Sequence, residues 1–191
     1  MGRLIKHTRE QLNPEQQAQF DRIAKTRKPG ADGQIGGPFD VWIRSPEFAE
    51  RMVSFGTFIW GRTTLHRGLV ELAICITGRF WQSNVEWVAH AKMALDNGVA
   101  QAVLDDVFAQ RRPTATASVD ELIVYDVSVA LHETHELPMP LYQQAVQRFG
   151  EQGLVEIIAT IGFYTTVSMT LNAFNVDVGA GITPPFPKPV D

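Results

Sequence analysis

The sequence predicts an all-α fold, because helix start and stop signals recur along it while strand signals are few. Three observations carry this prediction. Capping sequences such as Ser118-Val119-Asp120-Glu121 open helical segments, glycines such as Gly98 and Gly150 close them, and the apolar stretch 154–174 is long enough for about six helical turns. With 191 residues, 45% of them hydrophobic and 20% charged, the chain is long enough for one sizeable core.

The first helical segments follow two proline-containing caps. Asn13-Pro14-Glu15-Gln16 supplies an N-cap, a proline at the first helical position and a capping-box glutamine, and predicts a helix that ends before Lys28. Residues 29–39 are rich in glycine and are expected to form an irregular loop. Ser45-Pro46-Glu47 then predicts a second helix that reaches about Trp60 by the same logic.

The middle of the chain predicts two helices separated by a short break. The first runs from about Thr64 to Thr77 and breaks at Gly78, and the second runs from Ser83 to Asn97, where Gly98 stops it. A short helical turn is expected at residues 105–108.

The C-terminal part predicts three further helices and a tail. The capping box at residues 118–121 opens a helix to about Glu136, residues 141–149 form another, and the apolar helix 154–174 follows. Because the tail contains four prolines, we expect it to be extended and to lie across a neighbouring subunit. We therefore divide the chain into an N-terminal helix and loop, a helical domain and a proline-rich tail, at residues 1–39, 40–180 and 181–191.

Charge and cysteine content exclude several classes of protein. A net charge of −4 and a pI near 5.7 give no basic surface for nucleic acid. The single cysteine, Cys75, lies in an apolar run, so it has no intrachain disulfide partner and is expected to be a small core residue. The first residues lack an apolar run of signal-peptide length, and we expect a cytoplasmic protein.

The stretch from residue 154 to residue 174 approaches the length of a membrane span. It contains Glu156, Asn172 and several hydroxyl side chains, and it lacks flanking basic anchors. We expect a helix buried in a core or an oligomer interface and no membrane insertion. This helix, the tail, and the aromatic residues Phe39, Trp42 and Phe48 supply more apolar surface than a small helical monomer hides, so self-association is expected.

Two carboxylates and a histidine interrupt the apolar helical pattern in the middle of the chain. Glu86 and His90 are four residues apart and share a helix face, and Glu71 on the preceding helix can fold back onto them. A buried acid beside a buried imidazole indicates proton transfer, with His90 as acid or base, Glu86 fixing its tautomer, and Glu71 as a relay or second acid. Structural roles remain open for each: Ser83-x-x-Glu86 also fits a capping box, Glu71 an ion pair with an arginine, and His90 a core histidine.

The stretch from Glu71 to Val99, ELAICITGRFWQSNVEWVAHAKMALDNGV, resembles the core of the carboxymuconolactone decarboxylase family, which includes the alkylhydroperoxidase-D-like proteins. The resemblance covers about residues 40–180. It implies an alkylhydroperoxidase-D-like helical bundle that assembles into trimers, or into hexamers built as trimers of dimers.

The family that the sequence resembles has two branches, which catalyse different reactions. In the peroxidase-like branch a glutamate and a histidine, matched by Glu71 and His90, serve a Cys-x-x-Cys pair, but Ser83 and Glu86 occupy the cysteine positions here. A dithiol peroxide cycle is therefore unexpected, because serine and glutamate form neither sulfenic acid nor disulfide. The decarboxylase branch has Glu-x-x-x-His where Glu86 and His90 stand, although Glu71 is a feature of the peroxidase side.

The resemblance thus implies a cofactor-free decarboxylase, or a related lyase or isomerase, acting on a small anionic ring-derived acid or lactone. The alternatives are an oxidoreductase of the peroxidase-like branch that has lost its thiol pair and a noncatalytic oligomer that binds a small ligand. Candidate substrate contacts are three arginines for a carboxylate, two tryptophans as apolar walls and one serine: Arg62, Arg67, Arg79, Trp81, Trp87 and Ser83.

No metal site or cofactor is predicted. His132 and His135 are three residues apart and do not form an H-E-x-x-H motif, so we expect them at a solvated helix end.

Overall fold

The computed structural model describes residues 2–114 and 116–187, and within these ranges all regular structure is helical. A short 3₁₀ turn at Arg9–Gln11 precedes the α-helices. The α-helices are α1 Pro14–Ala24, α2 Phe39–Trp42, α3 Pro46–Gly61, α4 Arg67–Phe80, α5 Asn84–Asp96, α6 Gln101–Phe108, α7 Val119–Glu133 and α8 Met139–Ala173. The predicted all-α fold class is confirmed.

Helix α4 is the centre of the molecule. Every residue from Gly68 to Gly78 is buried, and the helix packs against α5, α6, α7 and α8. Its apolar side chains join those of α6, α7 and α8 in one cluster, and those of α3 and the second half of α8 in another. A polar side chain on α4 is therefore held in surroundings that exclude water on nearly every side.

Helices α4 and α5 approach each other closely at both ends of their contact. A Cβ atom at Gly68 would lie 2.7 Å from the carbonyl oxygen of Asn97, and one at Gly78 would lie 3.2 Å from Cβ of Glu86. Both positions therefore favour glycine, because a larger residue would push the helices apart. The predicted break at Gly78 is wrong for this reason: the helix continues through Gly78 to Phe80.

Helix α8 contains the predicted division into two segments. Gly150 has φ 70° and ψ 171°, values that interrupt the helical path and that glycine adopts most readily. The segment after Gly150 is apolar enough and long enough to span a bilayer, but 56% of its most apolar window is buried against the protein. It packs on α3, α4 and α7 in the manner of a core helix.

Several element boundaries differ from the sequence prediction. Helix α1 ends at Ala24 and does not extend to residue 27, and α6 begins four residues earlier than expected. Helix α2 forms at the end of the predicted loop, and its Trp42 is buried, not exposed. The capping box of Ser118 and Glu121 at the start of α7 is confirmed.

The described part of the tail packs on its own chain. Phe186 is 3% exposed, its ring stacks on Phe108 at 5.4 Å between centroids, and its edge meets Trp87 at 5.9 Å. The side-chain amide of Asn84 makes two hydrogen bonds to the backbone of Phe186. Its oxygen accepts from the Phe186 N–H at 2.7 Å, and its nitrogen donates to the Phe186 carbonyl at 3.2 Å. This segment therefore fixes the first turn of α5 within the same chain, which differs from the expected position across a neighbour.

Candidate active site

The close pairing of α4 and α5 brings together the two carboxylates and the histidine that the sequence singled out. His90 Nδ1 lies 2.6 Å from Oε2 of Glu71, and its Nε2 lies 3.3 Å from Oε2 of Glu86. The first contact is a hydrogen bond, whereas the second is close enough for an ion pair but is not aligned as a hydrogen bond. Glu71, Glu86 and His90 are respectively 0%, 4% and 7% exposed.

Arg67 extends this group one residue further toward the surface. Its guanidinium pairs with Oε1 of Glu71 and donates to the carbonyl oxygens of Trp60 at 2.7 Å and Ile59 at 3.3 Å. The same guanidinium lies over the Trp60 ring, 4.1 Å from its centroid. The alternative role of Glu71, an ion pair with an arginine, is therefore present together with its contact to His90.

His90 is held in its charged form. Burial alone would lower the pKa of His90, but the hydrogen bond to Glu71 and the proximity of Glu86 outweigh burial and raise it to about 9. At neutral pH the ring is therefore an imidazolium whose Nδ1–H donates to Glu71 and whose Nε2–H faces Glu86. His90 is thus a proton donor first, rather than a group poised near neutrality to act in both directions.

The first turn of α5 does not use the capping box that its sequence allows. Ser83 is the N-cap residue, but its hydroxyl accepts no backbone N–H, and Glu86 is turned toward His90. Ser83 Oγ and Glu86 Oε2 are both buried without a hydrogen-bond partner in the protein. The capping-box interpretation of Glu86 is therefore wrong.

Tyr164 is a neighbour of the site that the sequence analysis did not select. Its ring meets the His90 ring edge-on, with centroids 4.9 Å apart. Burial raises the pKa of the Tyr164 hydroxyl above its usual value, so the phenol stays protonated. The available signal was a tyrosine among apolar residues on α8, but helical spacing alone does not assign it to the His90 side.

The candidate substrate-binding residues do not all reach this group. Arg79 donates to the carbonyl of Phe108 at 2.6 Å and to Gln110 Oε1 at 3.1 Å, and it lies over the Phe186 ring, so it faces α6 and the tail. Trp87 packs against the same two aromatic rings. Both therefore stabilise the contact between α5, α6 and the tail, and neither is brought to His90.

The remaining two candidates have different surroundings. Arg62 is the exposed C-cap of α3. Trp81 is half-buried beside Phe80, and its indole N–H has no hydrogen-bond partner in the protein.

Two openings reach the interior near α4. An open groove of about 400 Å³ is lined by Trp60, Arg67, Glu71, Met93 and Asn97, and it approaches the carboxylate network from the Arg67 side. A separate small cavity of about 40 Å³ is bordered by Arg79, Phe80, Tyr125, His132 and Glu133 among others.

Neither His132 nor Cys75 behaves as a free functional group. His132 is 9% exposed, which corrects the expectation of a solvated helix end; its Nε2 bonds Thr77 Oγ1 at 3.1 Å and its ring stacks on Phe80. Burial lowers the pKa of His132 to about 4. Cys75 is fully buried, and burial raises the pKa of its thiol well above the usual value, as expected of a core residue. Among residues 2–114 and 116–187, no group of three or more His, Cys, Asp or Glu side chains is arranged to hold a metal ion.

A comparison with solved structures identifies the fold. The chain superposes on the crystal structure of a protein of unknown function from Agrobacterium tumefaciens, described as a candidate antioxidant defence protein AhpD, with a TM-score of 0.64. The match covers 75% of this chain and 99% of the other, at 14% sequence identity. The chain has an AhpD-like helical fold. No protein-family model matches the chain, and no curated protein matches it significantly.

The AhpD-like fold agrees with the helical architecture that the sequence resemblance implied. At 14% identity the match extends to the fold and not to a reaction. The function must therefore be argued from the side chains of the site.

Proposed function

We propose that this protein is a cofactor-free proton-transfer enzyme, a decarboxylase or a related lyase or isomerase, acting on a small ring-derived acid or lactone. The observation that carries this proposal is the position of the buried His90 ring between two carboxylates: both oxygens of Glu71 are paired, whereas Oε2 of Glu86 has no hydrogen-bond partner. Loss of CO₂ from an unsaturated acid leaves an enolate or dienolate, which needs a cationic donor for its charge and an acid for its carbon.

The residues divide these tasks by their contacts. Glu71 holds Nδ1 of His90 and is itself held by Arg67, so it orients the ring and keeps it protonated. Nε2–H of His90 is then the proton donor. The unbonded Oε2 of Glu86 is the complementary acceptor, within 3.3 Å of that nitrogen.

The first experiment follows the ultraviolet absorbance of 4-carboxymuconolactone on addition of the purified protein. We expect turnover by the wild type and its loss in both His90→Ala and His90→Gln. The matched control is His135→Asn, because His135 is exposed and has a φ of 65° that asparagine tolerates. Turnover retained by both His90 variants would contradict the assigned role, and no turnover by the wild type would remove this substrate.

A dithiol peroxidase activity is disfavoured by the position of the single thiol. Cys75 lies in the core with no accessible surface, and Ser83 and Glu86 stand where a thiol pair would be needed. We expect no thiol-dependent consumption of hydrogen peroxide above the uncatalysed rate. A noncatalytic ligand-binding role instead predicts that His90→Gln leaves the affinity for a bound acid unchanged.

We also propose that the protein acts as a homo-oligomer, a trimer or a hexamer, in the cytoplasm. An apolar row on the outer face of α8 supports self-association, with Val155 62%, Ile158 44% and Met169 49% exposed. Light scattering coupled to size-exclusion chromatography tests the subunit number, and Ile158→Glu is expected to lower it.

A further inference from the structure

The side chains of the candidate active site are closed off from solvent in this structure. Glu71, Glu86 and His90 are buried, and neither of the two openings described above is lined by Glu86, His90 or Ser83. The groove on the Arg67 side reaches Glu71 but none of the other three. A reaction of a small molecule at His90 therefore requires part of the protein to move.

Helices α4 and α8 close the site on two sides. A Cβ atom at Gly78 of α4 would lie 3.2 Å from Cβ of Glu86, and the Tyr164 ring of α8 lies against the His90 ring. Both helices belong to the apolar core of the molecule. Displacing either one would expose a large buried apolar surface, which is unfavourable.

The C-terminal tail, in contrast, covers the start of α5 with a single buried side chain. Within residues 174–187, Phe186 alone is buried. Its backbone is bonded to the Asn84 side chain, and its ring lies against Trp87 of α5. The guanidinium of Arg79, at the end of α4, lies 5.2 Å from the centroid of the same ring. Phe186 therefore bridges the end of α4 and the start of α5.

These contacts place Phe186 at the junction of the two helices. The Ser83 N–H donates to the Gly78 carbonyl at 2.8 Å, which joins the end of α4 to the start of α5. Two residues that contact Phe186, Arg79 and Asn84, directly follow Gly78 and Ser83 in the sequence. The tail thus lies beside the point where Ser83 and the first turn of α5 enter the core.

The segment that leads to Phe186 has the features of a hinge. Residues 179–184 are exposed, so they make few contacts that would resist movement. Gly179 and Gly181 have φ values of 105° and 80°, in a region that glycine adopts without strain. This segment can reorient without a change in any helix.

The closed arrangement leaves polar atoms at the junction without partners. Among the residues that the structure describes, six buried side-chain N or O atoms lack a hydrogen-bond partner in the protein, and three of them belong to Trp81, Ser83 and Glu86. A buried polar atom without a partner is destabilising, and water that reaches it removes this cost. Opening at the junction is therefore easier than opening through the apolar contacts of α4 and α8.

We infer that residues 179–187 form a lid over the junction of α4 and α5, that Phe186 anchors this lid, and that the lid lifts to admit a small molecule to Glu86 and His90. Lifting breaks the contacts of Phe186 and leaves the helices in place. The inference rests on the proposed function, because it describes how a ligand reaches that site. The opening itself is measured without a substrate.

Thiol labelling of the Ser83→Cys variant measures the opening. The Ser83 hydroxyl makes no hydrogen bond in the protein, so the substitution removes none, and Cys75 in the core of α4 is a second thiol in the same chain. Trypsin cleaves after Arg79, between the two positions, so mass spectrometry follows the reaction of iodoacetamide with each thiol. We expect the thiol at position 83 to react at least about 10-fold faster than Cys75, and with a weaker dependence on urea, because lid opening exposes less surface than global unfolding.

Phe186→Ala in the Ser83→Cys background tests the anchor. We expect the labelling rate at position 83 to rise at least about 10-fold, because the closed lid loses the contacts of its buried ring. Ile182→Ala is the matched control within the lid, since Ile182 is exposed, and it should leave this rate unchanged. Val124→Ala weakens the core on α7, which stays intact when the lid opens, so it should raise the rate at Cys75 and not at position 83.

Amide hydrogen exchange supplies a second measurement that needs no cysteine substitution. The N–H of residue 186 donates to Asn84 Oδ1 and is freed each time the lid lifts. In the wild type we expect it to exchange faster than the amides of α4 and with little dependence on urea. Circular dichroism checks that every variant is folded.

Two results would overturn the inference. Equal labelling rates with equal urea dependence at the two thiols would mean that only global unfolding exposes the junction. A rate at position 83 that Phe186→Ala leaves unchanged would assign the opening to another part of the molecule. The proposed function is tested separately by turnover of 4-carboxymuconolactone, and a protein that does not turn it over but opens in a Phe186-dependent way loses that substrate and keeps the lid.

Discussion

Two buried histidines on opposite partners of α4 have opposite charge states. His90 is 7% exposed and lies between Glu71 and Glu86, whereas His132 is 9% exposed and lies between Thr77 and Phe80. The pKa of the first is raised to about 9 and that of the second is lowered to about 4. Their burial is nearly equal, so burial does not decide the charge; the neighbouring carboxylates do.

The hydrogen-bond roles differ in the same way. The Thr77 hydroxyl donates to the Ala73 carbonyl at 2.9 Å, so its oxygen can only accept from His132, which fixes the proton of the neutral ring on Nε2. In His90 both nitrogens carry protons, and one faces a carboxylate oxygen without a bond of its own. Only His90 therefore combines a proton to give with a nearby acceptor.

The largest effect is expected from Glu71→Gln. It removes the carboxylate shared by Arg67 and His90 and leaves one buried and one partly buried cation less compensated, so we expect a loss of about 3 kcal/mol in the free energy of unfolding at pH 7. The pKa of His90 should fall below 9, because burial lowers this pKa and only one of the two carboxylates that raise it remains. Urea denaturation and NMR titration measure the two quantities.

The matched control is Glu133→Gln, an exposed carboxylate near the other histidine, for which a change below about 0.5 kcal/mol is expected. An equal and small loss in the two variants would mean that the Glu71 network contributes little to stability.

The pH dependence of stability should separate the histidines. For His90 the folded pKa of about 9 exceeds the unfolded value of 6.5, so its contribution is complete below pH 6.5 and is lost as pH rises toward 9. The expected loss is on the order of 3 kcal/mol. Unfolding free energies at pH 6, 7.5 and 9 measure it, and the slope should disappear in His90→Gln. A slope unchanged in that variant would assign the effect to another group.

For His132 the expected sign is reversed. Its folded pKa of about 4 lies below the unfolded value of 6.5, so the neutral ring contributes fully above pH 6.5 and its contribution is lost as pH falls toward 4. The loss is again at most on the order of 3 kcal/mol. His132→Phe keeps an aromatic ring against Phe80 and should flatten the curve between pH 4 and 6.5. Acid sensitivity equal to that of the wild type would contradict a neutral His132.

The smallest effect is expected from Thr77→Val, which keeps the shape of the side chain but removes the acceptor for His132 Nε2–H. We expect a loss of about 1–2 kcal/mol and a shift of the tautomer equilibrium, seen in the ¹⁵N chemical shifts of the ring. The pKa of His90 should stay unchanged. A change at His90 would show that the two histidines are coupled through α4.

The sequence predicted the all-α fold and the grouping of Glu71, Glu86 and His90, because helical periodicity and the family resemblance both place them on facing surfaces. The sequence prediction failed for side chains that have several possible hydrogen-bond partners. Arg79 turns to Phe108 and Gln110, and Ser83 leaves its cap unused, and spacing along a helix encodes neither choice.

The prediction for His132 failed for a related reason. It sits near the end of α7 before two prolines, which suggests solvent, but Ser128 and Val124, one and two turns earlier, are fully buried on the same face. The helix therefore faces α4 up to its last turn. The prediction also misjudged Gly78, because glycine permits a close helix contact as readily as it ends a helix.

The amide clamp between Asn84 and Phe186 has a consequence for the order of folding. Glu71 and His90 are 19 positions apart, so α4 and α5 can pair early with little loss of chain entropy. The start of α5 is instead secured by partners 91 and 102 positions away, through the bond from Asn172 to Trp81 and the clamp itself. We expect such distant contacts to form late, because a long chain segment must close before they are made. The side chains of the site thus come from one short stretch of sequence, whereas the contacts that hold the start of α5 in place come from the C-terminal part of the chain.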